Sequence, residues 1–552
     1  MVGFSPELLG SLRSYDRQSF VADLASGLTV GVIALPLAIG FGIASGVTPA
    51  QGLWTGIVAG FLISALGGSR FQVGGPTGAF VPVLFAVVAQ FGYAGLALAT
   101  MMAGVMLIMM GVLKLGRLIK FIPYPVVAGF TSGIAVIILV GQFNEFLGLG
   151  LKMPEHAPQQ IGALFSHLRA AQWQTIVIGV VTLVTVYGWP RISKKIPASI
   201  VAVVLATLIA QLLHWPVATI GSKFGGIPSG WPGWHLPAVS LDAMRDLMVP
   251  AFTIAMLGAI ESLLSAMVAD GMTDTRHDSN QELIGQGIAN VLTPLVGGIA
   301  ATGAIARTAA NIRSGARSPV SGIVHALVLL LVALLGGPLA QHIPLACLSG
   351  ILIAVALRMG DWDTFREIWR GPKSDFMVLL TAFLLTVIFD LTAGVGVGLV
   401  MAAVLFVKRM EEITNIHLVT PETETESAGG HSIIGKDVPP GVVLYRLDGP
   451  FFFAAAEKLE AALRGSGGKP RVVIFRMRNV PAMDASGLHA FEVAVHKLRR
   501  DGVRIFVTAA QPQPMRVMDE SGLVDLIGRH KFCADIDEAL ARVREVLASA
   551  AT

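Results

Sequence analysis

A single carboxylate interrupts an apolar stretch in the second half of this 552-residue chain. Glu261 lies near the middle of the run 255–266, and Gly258 and Ser265 share its face at helical spacing. An ionised carboxylate at membrane depth costs on the order of 2.5–3.5 kcal/mol even on a lenient scale, so such residues usually mark function. Glu261 could carry a proton or supply an oxygen ligand to a cation such as sodium. The structural alternative is a carboxylate that is hydrogen-bonded to a neighbouring helix.

Two glycine-rich stretches, far apart in the chain, each lead into an unusually short apolar segment. The first runs from Gly67 to Gly78 and the second from Gly297 to Thr308. Backbone without helical hydrogen bonds is tolerated at membrane depth only where it is buried in protein or lines a cavity. Paired, interrupted segments in corresponding places indicate the binding site of a secondary transporter.

Small residues begin both short segments: Thr77, Gly78 and Ala79 in the first, and Thr302, Gly303 and Ala304 in the second. A helix N-terminus presents free N–H groups and the positive end of the helix dipole, so it binds an anion without a basic side chain. Arg307, about one turn into the second segment, could neutralise substrate charge, pair with a carboxylate or extend to the membrane surface. Close helix packing by small residues is the alternative for either stretch.

The composition indicates which elements must position these residues. Hydrophobic residues make up 54% of the chain and charged residues 14%, whereas soluble domains carry about 25% charged residues. A spanning helix needs roughly 20 apolar residues, and this predicts about fourteen segments, with the short ones at 76–91 and 303–315. We therefore predict a polytopic α-helical membrane domain over residues 21–410, after an N-terminal stretch of residues 1–20.

The two halves of the membrane domain resemble each other. Pro123 is followed by Gly129, and Pro344 by Gly350, at the same spacing in the fifth segment of each half. This predicts a seven-plus-seven repeat, about 21–215 and 246–410. Because the number of segments per repeat is odd, the second repeat must be inverted, and the two short segments then meet near the midplane.

Charge sets the predicted orientation. Outward connections hold only four basic residues, Lys152, Arg169, Lys223 and Arg245, whereas the inward connections hold many more. The positive-inside rule therefore places both termini of this multi-pass protein in the cytoplasm. The net charge of +4 reflects these loops, and without an aromatic-interleaved basic patch it does not indicate a nucleic-acid partner.

The C-terminal part has the composition of a soluble domain. A polar linker is predicted at 411–440, followed by strands that alternate with helices over 441–552, which indicates a small α/β domain. Gly449 and Pro450 are expected to turn the chain into a further strand. No nucleophile arrangement, metal-ligand spacing or cofactor motif occurs, so we expect no cofactor and no enzymatic activity. Interaction with a cytoplasmic protein is the expected role of this domain.

These motifs resemble the SulP anion transporter family. The resemblance rests on Gly258–Ser262, Asp270–Thr273, Glu282–Gly287 and the segment of Arg307, while Gly449–Ala454 and Asp484–Gly487 resemble the STAS domain of that family. It implies a fourteen-helix inverted-repeat fold whose core domain moves against a gate domain, often in a homodimer. It also implies an anion site between the third and tenth segments, with the first and eighth beside it.

The resemblance also bears on substrate and coupling. Within the family the chain is most similar to bacterial aerobic C4-dicarboxylate transporters, which implies a bacterial inner membrane and proton-coupled symport of succinate or fumarate. The alternative is transport of sulfate or bicarbonate, with sodium as a further candidate for the coupling ion. Bicarbonate-transporting relatives have Asp and Thr where this chain has Glu261 and Ser265, and the longer Glu side chain favours a proton over sodium. An interaction scaffold and a channel are further alternatives. His325, alone in a membrane segment, is expected to be packed and hydrogen-bonded.

Overall fold

The computed structural model describes residues 4–117, 123–154, 156–193, 196–226, 230, 232–234, 240–360, 362–389, 391–420, 433–452, 455–464 and 470–548. Residues 421–432 of the predicted linker lie outside these ranges. The chain divides into two compact units, 1–402 and 403–552.

The described part of the first unit is built of helices. Their bounds are α1 (Glu7–Leu12), α2 (Arg17–Ala44), α3 (Pro49–Leu66), α4 (Val81–Val112), α5 (Tyr124–Leu147), α6 (Ala157–His167), α7 (Trp173–Ile192), α8 (Ala198–Leu212), α9 (Ile220–Phe224), α10 (Leu241–Asp246), α11 (Met248–Thr273), α12 (Ser279–Leu292), α13 (Ile305–Arg313), α14 (Val320–Leu335), α15 (Gly337–Ala340), α16 (Leu345–Met359), α17 (Trp362–Arg370), α18 (Lys373–Ile388) and α19 (Leu391–Ile413), which crosses into the second unit. Among the described residues, eight helical stretches are long and apolar enough to cross a membrane, and α8 and α14 are shorter apolar helices. The predicted polytopic helical membrane fold is confirmed.

The predicted third and fourth segments are two helical stretches that meet at a kink inside α4. Gly92 carries the kink, with φ 66° and ψ −175°, a backbone conformation that glycine adopts readily and other residues rarely. The break between the two predicted segments therefore lies at this glycine. Before α4, a single 3-10 turn at Gly78–Phe80 starts the helix.

The two glycine-rich stretches meet and pair. Strand β1 (Gly74–Gly75) lies antiparallel to β2 (Thr302–Gly303), with Gly74 opposite Gly303 and Gly75 opposite Thr302. The pairing gives hydrogen-bond partners to backbone that no helix satisfies, as buried backbone requires. The two short segments therefore start from one shared, ordered junction.

A buried carboxylate on α12 holds the first stretch in place. The Oε2 atom of Glu282 accepts hydrogen bonds from the N–H groups of Gly68 and Ser69, at 2.9 and 3.1 Å. Its Oε1 atom accepts from the side-chain amides of Gln72 and Gln286, at 2.7 and 3.0 Å. Because the side chain is fully buried, this helix of the second half fixes a loop of the first half.

In turn, a residue of α3, in the first half, supports the second glycine-rich stretch. The Thr55 hydroxyl accepts a hydrogen bond from the Ile299 N–H at 2.8 Å. Asn290 of α12 completes the support, because its side chain accepts from the Ala301 N–H and donates to the Ala301 carbonyl, at 2.9 and 2.8 Å. Each half of the membrane unit thus holds the broken segment of the other.

A second buried carboxylate, Asp23 at the start of α2, fixes the connection between α13 and α14. It accepts hydrogen bonds from the N–H groups of Arg317 and Ser318 at 2.6 and 3.1 Å, and from the Ser318 hydroxyl at 2.5 Å. The Tyr15 hydroxyl donates to it at 2.9 Å. Burial and the neighbouring Asp23 carboxylate raise the pKa of Tyr15 to about 12.

The described part of the second unit is a five-stranded sheet with helices. The strands are β3 (Asn415–Val419), β4 (Val442–Asp448), β5 (Val472–Asn479), β6 (Arg504–Thr508) and β7 (Phe532–Cys533), in the order β3-β4-β5-β6-β7. The helices are α20 (Ala455–Arg464), α21 (Ala485–Arg500), α22 (Pro512–Glu520), α23 (Leu523–Ile527) and α24 (Ile536–Ala548). Strands β4 to β7 are parallel, which confirms the predicted α/β domain.

Two details of this unit differ from the expectation. Strand β3 lies inside the stretch assigned to the linker and pairs antiparallel with β4, because its short β-compatible sequence completes the sheet edge. After Gly449, the described chain forms only an isolated bridge between Phe451 and Met483, not the expected further strand. The buried ring of Phe451 packs instead against Phe491 of α21, at a centroid distance of 6.2 Å.

We expect Glu282→Gln to weaken the membrane unit. An amide cannot accept all four hydrogen bonds, and each hydrogen bond to a charged group is worth about 1.5–3 kcal/mol. The apparent melting temperature of the purified protein in detergent should fall by ~5 °C or more. Glu367→Gln, at an exposed position on α17, is the matched control and should leave it unchanged. Equal melting curves for both variants would show that the Glu282 brace does not hold the fold.

Candidate functional site

The candidate site lies where a residue of the first half donates a hydrogen bond to a residue of the second half. The Thr77 hydroxyl, just before the 3-10 turn, donates to Oε2 of Glu261 on α11 at 3.0 Å. Thr77 is 8% exposed, while Glu261 is partly exposed among buried neighbours. No cationic side chain among the described residues forms an ion pair with Glu261. The carboxyl group is thus held by a hydroxyl and open on one side.

The start of the first short segment offers backbone donors. Within the described chain, no hydrogen-bond acceptor meets the N–H groups of Gly78 and Ala79. The turn then continues into α4, so these groups lie at the positive end of a long helix. This is the arrangement that the sequence predicts for Thr77, Gly78 and Ala79.

Apolar side chains from three helices surround Gly78. A Cβ atom at this position would lie 3.1 Å from Cδ1 of Ile138 on α5, 3.3 Å from Cε1 of Phe41 on α2 and 3.6 Å from the Met359 sulfur on α16. Glycine therefore keeps the backbone donors accessible in a narrow space. Any group bound there is small or displaces these side chains.

The first residues of the second short segment form hydrogen bonds within the protein instead of presenting free donors. The Thr302 hydroxyl bonds to the Ser262 hydroxyl at 2.7 Å and donates to the Gly258 carbonyl at 3.1 Å. The Gly303 N–H donates to the Ser262 hydroxyl at 3.4 Å. These groups join β2 to α11, so in this structure they build the frame of the site.

The N–H group of Ala304 is also used within the frame of the site. Its N–H donates to the Val73 carbonyl at 3.0 Å, which extends the junction between the two glycine-rich stretches. The next N–H groups of α13, those of Ile305 and Ala306, meet no acceptor within the described residues. The free donors of the second half therefore lie slightly further along the chain than the sequence predicts.

Arg307 is buried against the Gly74–Pro76 loop of the first half. It is 2% exposed, and its guanidinium donates to the Gly74 carbonyl at 3.3 Å and to the Pro76 carbonyl at 2.5 Å. It forms no ion pair with a described carboxylate and does not extend to the membrane surface. Its charge acts on the site as a fixed positive field, and its hydrogen bonds fix the loop that carries Thr77.

Ser265 hydrogen-bonds to α13 and not to Glu261 in this structure. Its fully buried hydroxyl donates to the Thr308 hydroxyl of α13 at 3.1 Å, and Thr308 also accepts from the Val73 N–H at 3.1 Å. Among the described residues, no group of three or more His, Cys, Asp or Glu side chains could hold a metal ion. The proposed pairing of Glu261 with Ser265 as a cation site stays a prediction.

The sequence interpretation missed several polar residues of the frame: Ser262, Thr308, Gln72, Glu282, Asn290 and Thr55. Their occurrence in apolar segments could have indicated this role, because hydroxyl and amide groups in apolar helices must find partners inside the protein. In the loop after α11, the side chain of His277 is 4% exposed and lies 2.7 Å from the Asp270 carboxylate through Nδ1 and 2.9 Å from the Ser279 hydroxyl through Nε2.

Comparisons with known sequences show the family of both parts of the chain. The sulfate permease family profile matches residues 20–382, and the STAS domain profile matches residues 434–539. The chain is 42% identical over 533 residues to the "Putative sulfate transporter YvdB" of Bacillus subtilis, which covers 96% of this chain and 99% of that protein. It is 33% identical over 547 residues to the "Bicarbonate transporter BicA" of Picosynechococcus sp., with 94% of each chain covered.

Solved structures share the fold. The transmembrane domain of a cyanobacterial bicarbonate transporter BicA superposes with a TM-score of 0.64 at 36% identity, covering 69% of this chain and 99% of that chain. Murine Slc26a9, an anion transporter in the inward-facing state, superposes with a TM-score of 0.86, covering 98% and 94%. At 19% identity, this second likeness shows the fold alone.

We expect Gly78→Ala to raise the KM for transport roughly tenfold. The added methyl group would lie next to the free Gly78 N–H and within 3.6 Å of Ile138, Phe41 and Met359, so it would narrow the space beside this donor. Uptake kinetics in proteoliposomes measure the effect. Gly188→Ala in α7, where a Cβ atom meets nothing within 4 Å, is the control. An unchanged KM in Gly78→Ala would exclude this turn from the binding site.

Proposed function

We propose a substrate class and a coupling ion from one premise: this chain belongs to the sulfate permease family and carries a C-terminal STAS domain. It is therefore an anion transporter and not an enzyme. The proposed substrate is a small inorganic oxyanion, with sulfate as the first candidate. The proposed coupling ion is a proton that binds Glu261.

The space around Gly78 supports a small substrate. The N–H groups of Gly78 and Ala79 meet no described acceptor, and a Cβ atom at Gly78 would lie within 3.6 Å of Phe41, Ile138 and Met359. A tetrahedral or planar oxyanion places several acceptors on one centre and uses such donors in little volume. A C4-dicarboxylate, which the sequence resemblance implies, would have to displace these side chains. The relatives at 42% and 33% identity bear the names of a putative sulfate and a bicarbonate transporter.

The position of Glu261 supports proton coupling. Its carboxyl group adjoins Thr77, so an anion bound at the following turn would lie beside a negative charge if Glu261 were ionised. Like charges in a region of low dielectric repel strongly. Protonation removes this repulsion, and the anion and the proton then favour each other's binding. Sodium is disfavoured as the coupling ion because the Ser265 hydroxyl is directed to Thr308.

The packing supports alternating access between two bodies. Helices α2, α3, α4, α11, α12 and α14 pack against one another, and α5, α7, α16 and α18 form a second group. The junction of β1 and β2 belongs to the first group, so both short segments would move together. Ile138 and Met359 belong to the second group, and movement between the groups would open and close the space at Gly78.

Uptake of labelled sulfate into proteoliposomes tests the substrate. We expect accumulation under an inward proton gradient but not under a sodium gradient, with competition by unlabelled sulfate. Competition and labelled uptake are repeated with bicarbonate and succinate in the same vesicles. Transport of succinate alone would reject the proposed substrate in favour of the dicarboxylate, and sodium-driven uptake would reject the proton.

We expect Glu261→Gln to abolish accumulation driven by a proton gradient. The amide is permanently neutral, so the anion can still bind, but no proton is released at the other side. Exchange of internal for external sulfate should persist within a few-fold of the native rate and lose its pH dependence. Glu367→Gln on α17 controls for the chemical change. Gradient-driven accumulation at the native level in Glu261→Gln would remove this residue from the coupling mechanism.

A further inference from the structure

Two arginine side chains meet at one tyrosine where α7 and α16 end. The Cζ atom of Arg358, in the last turn of α16, lies 5.1 Å from the ring centroid of Tyr187 on α7. Arg191, in the last turn of α7, donates through Nη1 to the Tyr187 carbonyl at 2.9 Å. Since α7 and α16 also pack against each other, the two helices end at the same level of the membrane unit.

No described carboxylate balances the positive charge of this pair. Neither guanidinium forms an ion pair within the described chain, and Asp363, the first described acidic residue after Arg358, lies 4.0 Å from Arg366 instead. Both arginines are exposed. Each guanidinium has five N–H donors, and a cation–π contact such as that of Arg358 with Tyr187 leaves the donors unused. The pair can therefore offer several donors to an anion.

A purely structural role explains only one of the two arginines. A basic side chain near a helix C-terminus can bond to the last carbonyls and interacts favourably with the helix dipole. The hydrogen bond of Arg191 is of this kind, because the Tyr187 carbonyl belongs to its own helix. Arg358 donates no hydrogen bond to a described residue and lies over a ring of a different helix. Its charge is therefore available to a partner outside the chain.

The residues around the pair are typical of a membrane surface. Helix α7 is long and apolar enough to cross a membrane, and so is the stretch that contains α16. Beside the arginines, the apolar side chains of Ile192 and Leu357 are 77% and 41% exposed. Tyr187 is also exposed, and the Trp362 indole N–H donates to the Leu357 carbonyl at 3.3 Å. Because tyrosine and tryptophan are enriched at membrane–water interfaces, the arginines lie at the level of lipid headgroups.

We propose that Arg191 and Arg358 bind the phosphate group of an anionic phospholipid whose acyl chains contact Ile192 and Leu357. Guanidinium groups bind phosphate through paired N–H donors, and basic groups at the cytoplasmic face, where the sequence predicts these residues, attract anionic headgroups. A zwitterionic lipid is disfavoured, because no described carboxylate beside the arginines would hold its cationic group. Both helices belong to the group that packs with α5, so the lipid would hold this group at the membrane surface during the proposed alternating access.

Lipid binding to the delipidated, full-length protein in detergent tests the proposal. Native mass spectrometry measures the dissociation constants of phosphatidylglycerol and phosphatidylcholine for the native protein, Arg358→Gln and Arg191→Gln. We expect the native protein to bind phosphatidylglycerol roughly tenfold more tightly than phosphatidylcholine, and each variant to lose most of this preference. Arg169→Gln, at an exposed position before the start of α7, is the matched control and should keep the preference.

Three outcomes would overturn the proposal. Equal affinity of the native protein for both lipids would exclude a site for anionic lipid, and a preference that both variants keep would place the site elsewhere. Displacement of phosphatidylglycerol by millimolar inorganic phosphate would assign the pair to a soluble phosphate. If Arg358→Gln does not fold, Arg191→Gln alone decides between these results. Because binding is measured without a transport substrate, it tests the lipid site even if sulfate proves not to be transported.

Discussion

The need to satisfy backbone polar groups at membrane depth governs this structure. Both short segments begin in non-helical backbone, and at that depth no water can replace the missing helical bonds. The antiparallel pair of β1 and β2 satisfies part of this backbone. Glu282, Thr55 and Asn290 satisfy much of what surrounds it. Because the partners come from opposite halves, neither short segment can be ordered alone, and the site exists only when both halves are folded together.

These hydrogen bonds make the starts of the two short segments different in chemistry, although the sequences of the two halves resemble each other. The hydroxyl of Thr302 and the N–H groups of Gly303 and Ala304 are used within the frame. The N–H groups of Gly78 and Ala79 meet no described acceptor and lie beside Glu261 through Thr77. The first half therefore has free backbone donors at the very start of its short segment. In the second half these positions belong to the frame, the free N–H groups lie further along at Ile305 and Ala306, and Arg307 adds a fixed charge. Inverted symmetry brings the segments together, but local hydrogen bonding decides what each contributes.

The architecture was largely predictable, because hydropathy and glycine placement depend on residues near one another in sequence. Glu261, Thr77 and Gly78 were found this way, as was the helix interruption near Gly92. The roles of Arg307 and Ser265 were not predictable. Each depends on which distant atom is closest, the Pro76 carbonyl for one and the Thr308 hydroxyl for the other. The surroundings of His325 could not be predicted either, since they depend on the absence of a side chain at Gly60.

The kinds of group at the site determine how it could select an anion. Helix ends and a buried guanidinium recognise negative charge but distinguish poorly between oxyanions, because their donors point to a region rather than to defined atoms. Shape must then provide selection. The atoms that limit space at Gly78 are the side-chain ends of Phe41, Ile138 and Met359, on α2, α5 and α16. Two of them belong to the helices that pack with α5 rather than with the β1–β2 junction. If the anion binds at Gly78, its size is sensed at the surface between the two groups of helices, where alternating access would change the distances.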